Sequence, residues 1–181
     1  MNSLTDEQLM VSFSKGEQRA FAELYQRHKN PLYRYFVRQL GASQHARAEE
    51  LYQDVWYRVI DKRESYAPSA KFTTWLYHIA HNLVIDEHRK NLSSNAYAKT
   101  LSDEQKHTPD MDGDKPQAIK ACMALLAPLQ REAFLLRHEA GFEPAQICEI
   151  LGAKAEAVKT RLRYAMEQLR ECLTKKLGER Q

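Results

Sequence analysis

Apolar residues recur at helical spacing over most of the 181-residue chain, and nowhere do they alternate with the period of two that marks a strand. Thr5 stands where a helix N-cap is expected, with Asp6 and Glu7 in the opening turn, where the helix dipole favours acids. Leu9, Met10 and Phe13 form the apolar side of this first helix, and Gly16 interrupts it. A second helix is predicted from about Glu17, with Phe21, Leu24 and Tyr25 on one stripe. Pro31 suits the first turn of a third stretch, in which Leu32, Tyr35, Phe36 and Leu40 repeat before Gly41 stops it. Over residues 45–60, Leu51, Val55, Val59 and Ile60 define a further amphipathic helix. The polar run ESYAPSAK then leads into a long helix over about 72–90.

The texture changes at residues 91–116, which hold few large apolar groups and carry three lysines against five acids, a net −2. Such a segment cannot bury enough surface to offset its ordering entropy, so it is predicted to be a flexible linker. From Gln117 the helical pattern resumes and continues nearly to the end. The predicted fold class is therefore all-α, with two small helical domains over 1–90 and 117–181 and a linker over 91–116. Glycine and proline, at six residues each, are scarce enough for that reading.

The formal charge of +3 excludes little, because distribution matters more than the total. Cys122, Cys148 and Cys172 form no C-x-x-C pair, and their odd number argues against a disulfide framework. They are expected to be small apolar core residues. No apolar run approaches the roughly 18 residues of a membrane span. The first ten residues lack a basic stretch followed by an apolar one, so no signal peptide is expected and the protein should be cytoplasmic.

The most informative local pattern lies over residues 143–173. Pro144 can open a short helix whose apolar positions are Ile147, Ile150 and Leu151, and Gly152 stands at its C-cap. A second helix is predicted from about Ala155, with Val158, Leu162, Ala165, Leu169 and Leu173 within an arc of about 80°. Glu156, Lys159, Thr160 and Arg163 fall on the opposite side. A short helix, a glycine turn and a longer helix with a basic face is the layout of a helix-turn-helix DNA reader. Lys159 and Arg163 can donate to guanine edges or phosphates, and residues 154–176 carry a local +4. From these residues alone, a solvated charged face on an ordinary helical hairpin stays open.

In the N-terminal half, KFTTWLYHIAHNLVIDEHRKN sets Phe72, Trp75, Leu76, Ile79 and Leu83 on one stripe and ends in Arg89 and Lys90. Aromatics ahead of cations fit a platform for single-stranded nucleic acid, although core packing explains Trp75 as well. His78, His81, Asp86 and His88 do not have H-E-x-x-H spacing, so no metal is expected. No phosphate loop, nucleophile motif or paired carboxylates stand out, so neither a cofactor nor an enzyme is indicated.

Together the two halves resemble the extracytoplasmic-function branch of bacterial sigma factors. AFAELYQRHKNPLYRYF is similar to the family's first conserved region, and AEELYQDVWYRVI to its polymerase-binding helix. FTTWLYHIAHNLVIDEHRK resembles the promoter-melting and −10 segment, and the helices from LLAPLQREAFLL to RYAMEQLRE resemble the −35-reading domain. The resemblance implies a non-enzymatic initiation factor that directs core RNA polymerase to promoters, reading −35 duplex and −10 non-template strand. The helix of Glu49, Glu50, Leu51, Gln53 and Asp54 would dock on the clamp coiled coil of the largest subunit, with Leu51 and Val55 facing either the partner or the domain core and the flap as a second polymerase contact. Ser69, Lys71, Phe72, Thr73, Asn82, Asp86 and Arg89 would take the −10 strand, around a pocket for a flipped base. Lys159, Thr160, Arg163 and Tyr164 would enter the −35 major groove, with Arg161 nearer the backbone. An anti-sigma factor is a further implied partner. His81, Pro144, Ala157 and Tyr164 depart from the family's usual residues at those positions. Two rivals remain: a dimeric operator-binding regulator that needs no polymerase, and a helical interaction protein with no DNA role.

Overall fold

The computed structural model describes residues 3–98 and 115–178, and every regular element among them is helical. By backbone contact the chain divides into two units, residues 1–84 with 145–153 and residues 85–144 with 154–181.

Unit 1 starts with α1 (Asp6–Ser14), whose cap is a reciprocal box. The Thr5 hydroxyl accepts from the Gln8 amide at 3.2 Å, and the Gln8 side chain accepts from the Thr5 amide at 2.9 Å. Gly16, at φ +100°, turns the chain into α2 (Gln18–Leu40), which packs on both α1 and α3 (His45–Asp61). Gly41, at φ +91°, ends α2, and a 3₁₀ turn (Ala42–Gln44) leads into α3. Leu9, Met10, Leu24, Leu32, Phe36 and Val55 are fully buried. A polar clasp ties α1 to α2: Asp6 accepts from Arg27 at 3.1 Å and from His28 at 2.9 Å. Burial alone would raise the Asp6 pKa, but hydrogen bonds and charge from His28 and Arg27 hold it below the ordinary carboxylate value.

Pro31 does not open a new helix: it sits inside α2. A proline there removes one amide donor, but Leu24 on one side of it and Leu32, Tyr35 and Phe36 on the other are all buried, and that packing carries the helix through.

Helix α4 (Phe72–Ala98) runs eight residues past its predicted end, since no glycine or proline interrupts the sequence before Pro109. It is buried on more than one side: Phe72 and Leu76 are fully buried, and Tyr77 and His81, on the far side of the helix, are buried too. The predicted linker therefore begins within a helix, and its residues 99–114 lie outside the described residues. Helix α7 (Pro144–Leu151) buries Ile147 and Ile150.

Unit 2 contains α5 (Lys115–Ala124), α6 (Pro128–Phe134) with a π turn (Leu135–Glu139) at its end, and α8 (Ala155–Gly178). Both α5 and α6 pack on α8. Cys122, Met123, Leu126, Leu135, Ala165 and Leu169 form its apolar cluster, with Phe134, Cys172 and Leu173 packed at the edge. The cysteines correct the expectation of three isolated core residues. Cys122 and Cys172 are bonded across the α5–α8 contact with Cα atoms 5.8 Å apart, and Cys148 is free. Pairing set by helix packing across 50 residues leaves no trace in cysteine spacing. On the chain-entropy account, closing a loop of that length contributes about 4 kcal/mol. No helix among the described residues is long and apolar enough to cross a membrane.

Among the described residues His88 Nε2 is buried without a hydrogen-bond partner, and burial, followed by the charge of Arg131, lowers its pKa below the ordinary value of 6.5, while Glu132 and Glu87 oppose. The unfolded chain then binds more protons than the native one just below pH 6.5, so stability falls as pH drops through that window. Urea unfolding at about pH 7 and about pH 5.5 should show a loss on acidification that is smaller in His88→Gln.

Candidate nucleic-acid interface

Helix α8 is reached through a glycine turn. Gly152 adopts φ +61°, and the Ala153 amide donates back to the Cys148 carbonyl at 3.2 Å, closing the end of α7. Along α8, Val158, Ala165 and Leu169 are buried, and Leu162 and Leu173 are half-buried. This anchored face leaves Lys159, Arg163 and Tyr164 exposed, with Thr160 and Arg161 half-buried at the margin. The Arg163 guanidinium lies over the Tyr164 ring, 5.3 Å from its centroid. A cation held on an aromatic ring loses less freedom when it donates to a base edge or phosphate. Two cations, a hydroxyl and a phenol thus project from the first three turns of one well-anchored helix.

The second group of predicted residues surrounds the start and middle of α4. Ser69 and Lys71 are exposed and Thr73 is half-buried; Asn82, Asp86 and Arg89 are exposed on the helix. Asn82 and Asp86 are one turn apart, so amide and carboxylate share a face. The Asn82 amide donates to His78 Nε2 at 3.4 Å, while His78 Nδ1 donates to the Ile150 carbonyl at 2.9 Å. One neutral tautomer satisfies both bonds.

Phe72 is a correction. Its side chain is fully buried, with ring centroids 5.4 Å from His28, 6.3 Å from Tyr66 and 6.0 Å from Trp75, so it has no free face for a base. Its amide is taken as well, donating to Glu7 Oε1 of α1 at 3.0 Å, which caps the otherwise unpaired start of α4. His81 is also buried and offers no surface imidazole for a phosphate.

Tyr66 escaped the sequence reading because it lies in a polar run. It is 8% exposed, stacks 5.1 Å from Trp75, and its hydroxyl donates to the Ala70 carbonyl, so it fixes the loop that carries Ser69 and Lys71. Burial, then the negative charges of Glu7 and Asp6, push its phenol up to about 12.

On α3, Glu49, Glu50, Gln53 and Asp54 are exposed, and Arg47 pairs with Glu50 at 2.6 Å. Leu51 is 2% exposed and Val55 fully buried, so Leu51 belongs to the domain core and not to a partner-facing surface, which corrects its assignment. Beside the acids runs a groove of about 300 Å³ lined by Phe21, Tyr25, Tyr52, Gln53, Trp56, Tyr57 and Ile60. Tyr57 is 70% exposed. The spacing YQDVWY, with Tyr52 and Trp56 one turn apart, was the signal available for this aromatic wall.

Among the described residues, no group of three or more histidines, cysteines or acids is placed to hold a metal ion.

Comparison with known proteins matches residues 24–93 to Sigma-70 region 2 and residues 117–169 to Sigma-70, region 4. The chain is 31% identical over 170 residues to the RNA polymerase sigma factor CarQ of Myxococcus xanthus, covering 91% of this chain and 95% of that protein. It is 30% identical to the ECF RNA polymerase sigma factor SigK of Mycobacterium sp. (strain KMS), covering 85% of this chain and 83% of that protein. Its fold is similar to the sigma factor RpoE of Bartonella quintana, solved in complex with the anti-sigma factor NepR, at a TM-score of 0.71 and 24% identity. That match covers 85% of this chain and 96% of that one.

Spectrophotometric titration should reveal a phenol that ionises near 12, and Tyr66→Phe should remove it. The same substitution should cost about 0.5–1.5 kcal/mol in chemical denaturation for the hydrogen bond lost.

Proposed function

Because the chain belongs to the extracytoplasmic-function family of RNA polymerase sigma factors, we propose how its residues divide the work of promoter recognition. The family fixes the activity: the chain directs core RNA polymerase to promoters for transcription initiation. The domain over 1–90 binds polymerase and the −10 strand, the domain over 117–181 holds the −35 duplex, and residues 91–116 tether them. The chain is a positioning factor of the cytoplasm with no catalytic group of its own.

The observation that carries this division is the two-sided character of α8. Ala165 and Leu169 lie in the apolar cluster of its unit and Val158 is buried as well, while Lys159, Arg163 and Tyr164 stand outward. Lys159 and Arg163 then donate to guanine edges or phosphates in the major groove, Thr160 reads an adjacent edge, and Tyr164 supports the Arg163 guanidinium. Arg161, half-buried, reaches the phosphate backbone.

At the −10 element, Asn82 and Asp86 supply donors and acceptors to the edge of an unstacked base, Ser69 and Thr73 line its entry, and Lys71 and Arg89 hold phosphates. Phe72 acts only through packing. Freeing Asn82 for a base exchanges its weak bond to His78. On α3, Glu49, Glu50, Gln53 and Asp54 meet basic groups of the polymerase clamp, and the neighbouring aromatic groove receives an apolar side chain from it. A second polymerase contact, to the flap, belongs to the C-terminal domain. The solved relative from Bartonella quintana was crystallised with an anti-sigma factor, which favours a partner of that class here too.

In vitro transcription with purified core polymerase tests the assignment. Lys159→Glu with Arg163→Glu should lower initiation at a −35-dependent promoter by roughly 100-fold, about 1–3 kcal/mol per contact. Binding to core polymerase should be unchanged, and equal loss of core binding would show a folding defect instead. Asn82→Ala should slow open-complex formation on duplex promoter while leaving −35 duplex binding by the holoenzyme intact.

A further inference from the structure

Cys122 of α5 is 1% exposed within the apolar cluster of unit 2, whereas Cys172 of α8 is half-buried at its edge. Their Cα separation of 5.8 Å is one that a disulfide spans without backbone movement. In the thiol-rich compartment where the proposed function operates, such bonds are seldom permanent and are mostly redox-responsive. We propose that Cys122 and Cys172 form a reversible redox modification site, oxidised by low-molecular-weight disulfides and reduced by thiols, which staples α5 to α8.

The difference in exposure sets the order of the chemistry. In the reduced chain, the Cys172 thiolate attacks one sulfur of a small disulfide such as oxidised glutathione, forming a mixed disulfide and releasing one glutathione thiolate. The Cys122 thiolate then attacks the Cys172 sulfur, the internal bond forms, and the second glutathione leaves. Two protein thiols give up two electrons and two protons, and one oxidised glutathione becomes two reduced ones. Reduction runs the same steps backward, entering at Cys172.

The mechanical effect falls on α5. A helix of ten residues has little stability of its own in water, so without the bond only apolar packing holds it. The segment around Cys122 carries Ile119 and Leu125, exposed at 41% and 75%, and the staple fixes how that apolar surface is presented. Cys172 lies nine residues beyond Arg163, about 13 Å along the helix axis, so the basic face itself is untouched.

The test uses the full chain equilibrated in glutathione buffers of graded ratio, with thiols counted in denaturant by maleimide labelling and mass spectrometry. In Cys148→Ala, which removes the free and half-buried third thiol, none is expected under oxidising conditions and two under reducing ones, with a smooth two-electron transition. Cys122→Ser should accumulate a single glutathione adduct on Cys172, and Cys172→Ser should accumulate none on Cys122. The wild-type melting midpoint should rise by roughly 5–20 °C on oxidation, and Cys122→Ala with Cys172→Ala should abolish that rise. A thiol count that does not depend on buffer ratio, or equal midpoints in both states, would overturn the proposal. Neither readout involves promoters or polymerase, so it stands or falls separately from the assignment of the DNA-binding residues.

Discussion

Short helices have no independent life in water, and burial along one side of each is the constraint on which everything else in this chain depends. Helix α1 has nine residues, α5 has ten and α7 has eight, all below the length at which a helix holds itself. Each persists because Leu9 and Met10, Cys122 and Met123, or Ile147 and Ile150 leave water. That same burial decides which side chains are left outside. On α8 the inward Val158, Ala165 and Leu169 dictate that Lys159 and Arg163 project, so the basic surface is a by-product of the packing register.

The register also explains how much could be read from sequence. The helices around Leu9, Leu24, Val55 and Val158 announce themselves through apolar residues at three- and four-residue spacing, and Thr5, Gly16, Gly41 and Gly152 mark their ends because cap chemistry is local. The exposed polar residues on those helices follow from the same periodicity, which is why Lys159 and Arg163 emerge on an open face. What periodicity cannot supply is anything decided by a second element. Pro31 is a helix starter by local rules, yet the buried residues on both sides of it carry α2 through. Leu51 and Phe72 sit inside motifs associated with partners, but both side chains are buried. The Cys122–Cys172 pair depends on how α5 meets α8, and Tyr66 on edge and tilted ring contacts with Phe72 and Trp75.

Electrostatic detail supports this division between core and surface. The Asp6 clasp with Arg27 and His28 is partly buried and fixes α1 on α2, so these charges organise the fold and not a ligand. Glu49 and Asp54 of α3 and Lys159 and Arg163 of α8 stand exposed on their helices, where charges of opposite sign act at long range. One chain thereby presents two electrostatically distinct surfaces on separate helices.

Glu7 lends its carboxylate to the first amide of α4, although it belongs to α1, which precedes the segment matched to Sigma-70 region 2. The loop bearing Ser69 and Lys71 therefore ends at a helix whose start is secured by a residue 65 positions earlier. A fragment trimmed to the matched boundary would keep Ser69, Lys71, Thr73, Asn82, Asp86 and Arg89. It would also forfeit the carboxylate that accepts from the first amide of α4, and the opening turn would fray where the loop of Ser69 and Lys71 joins it.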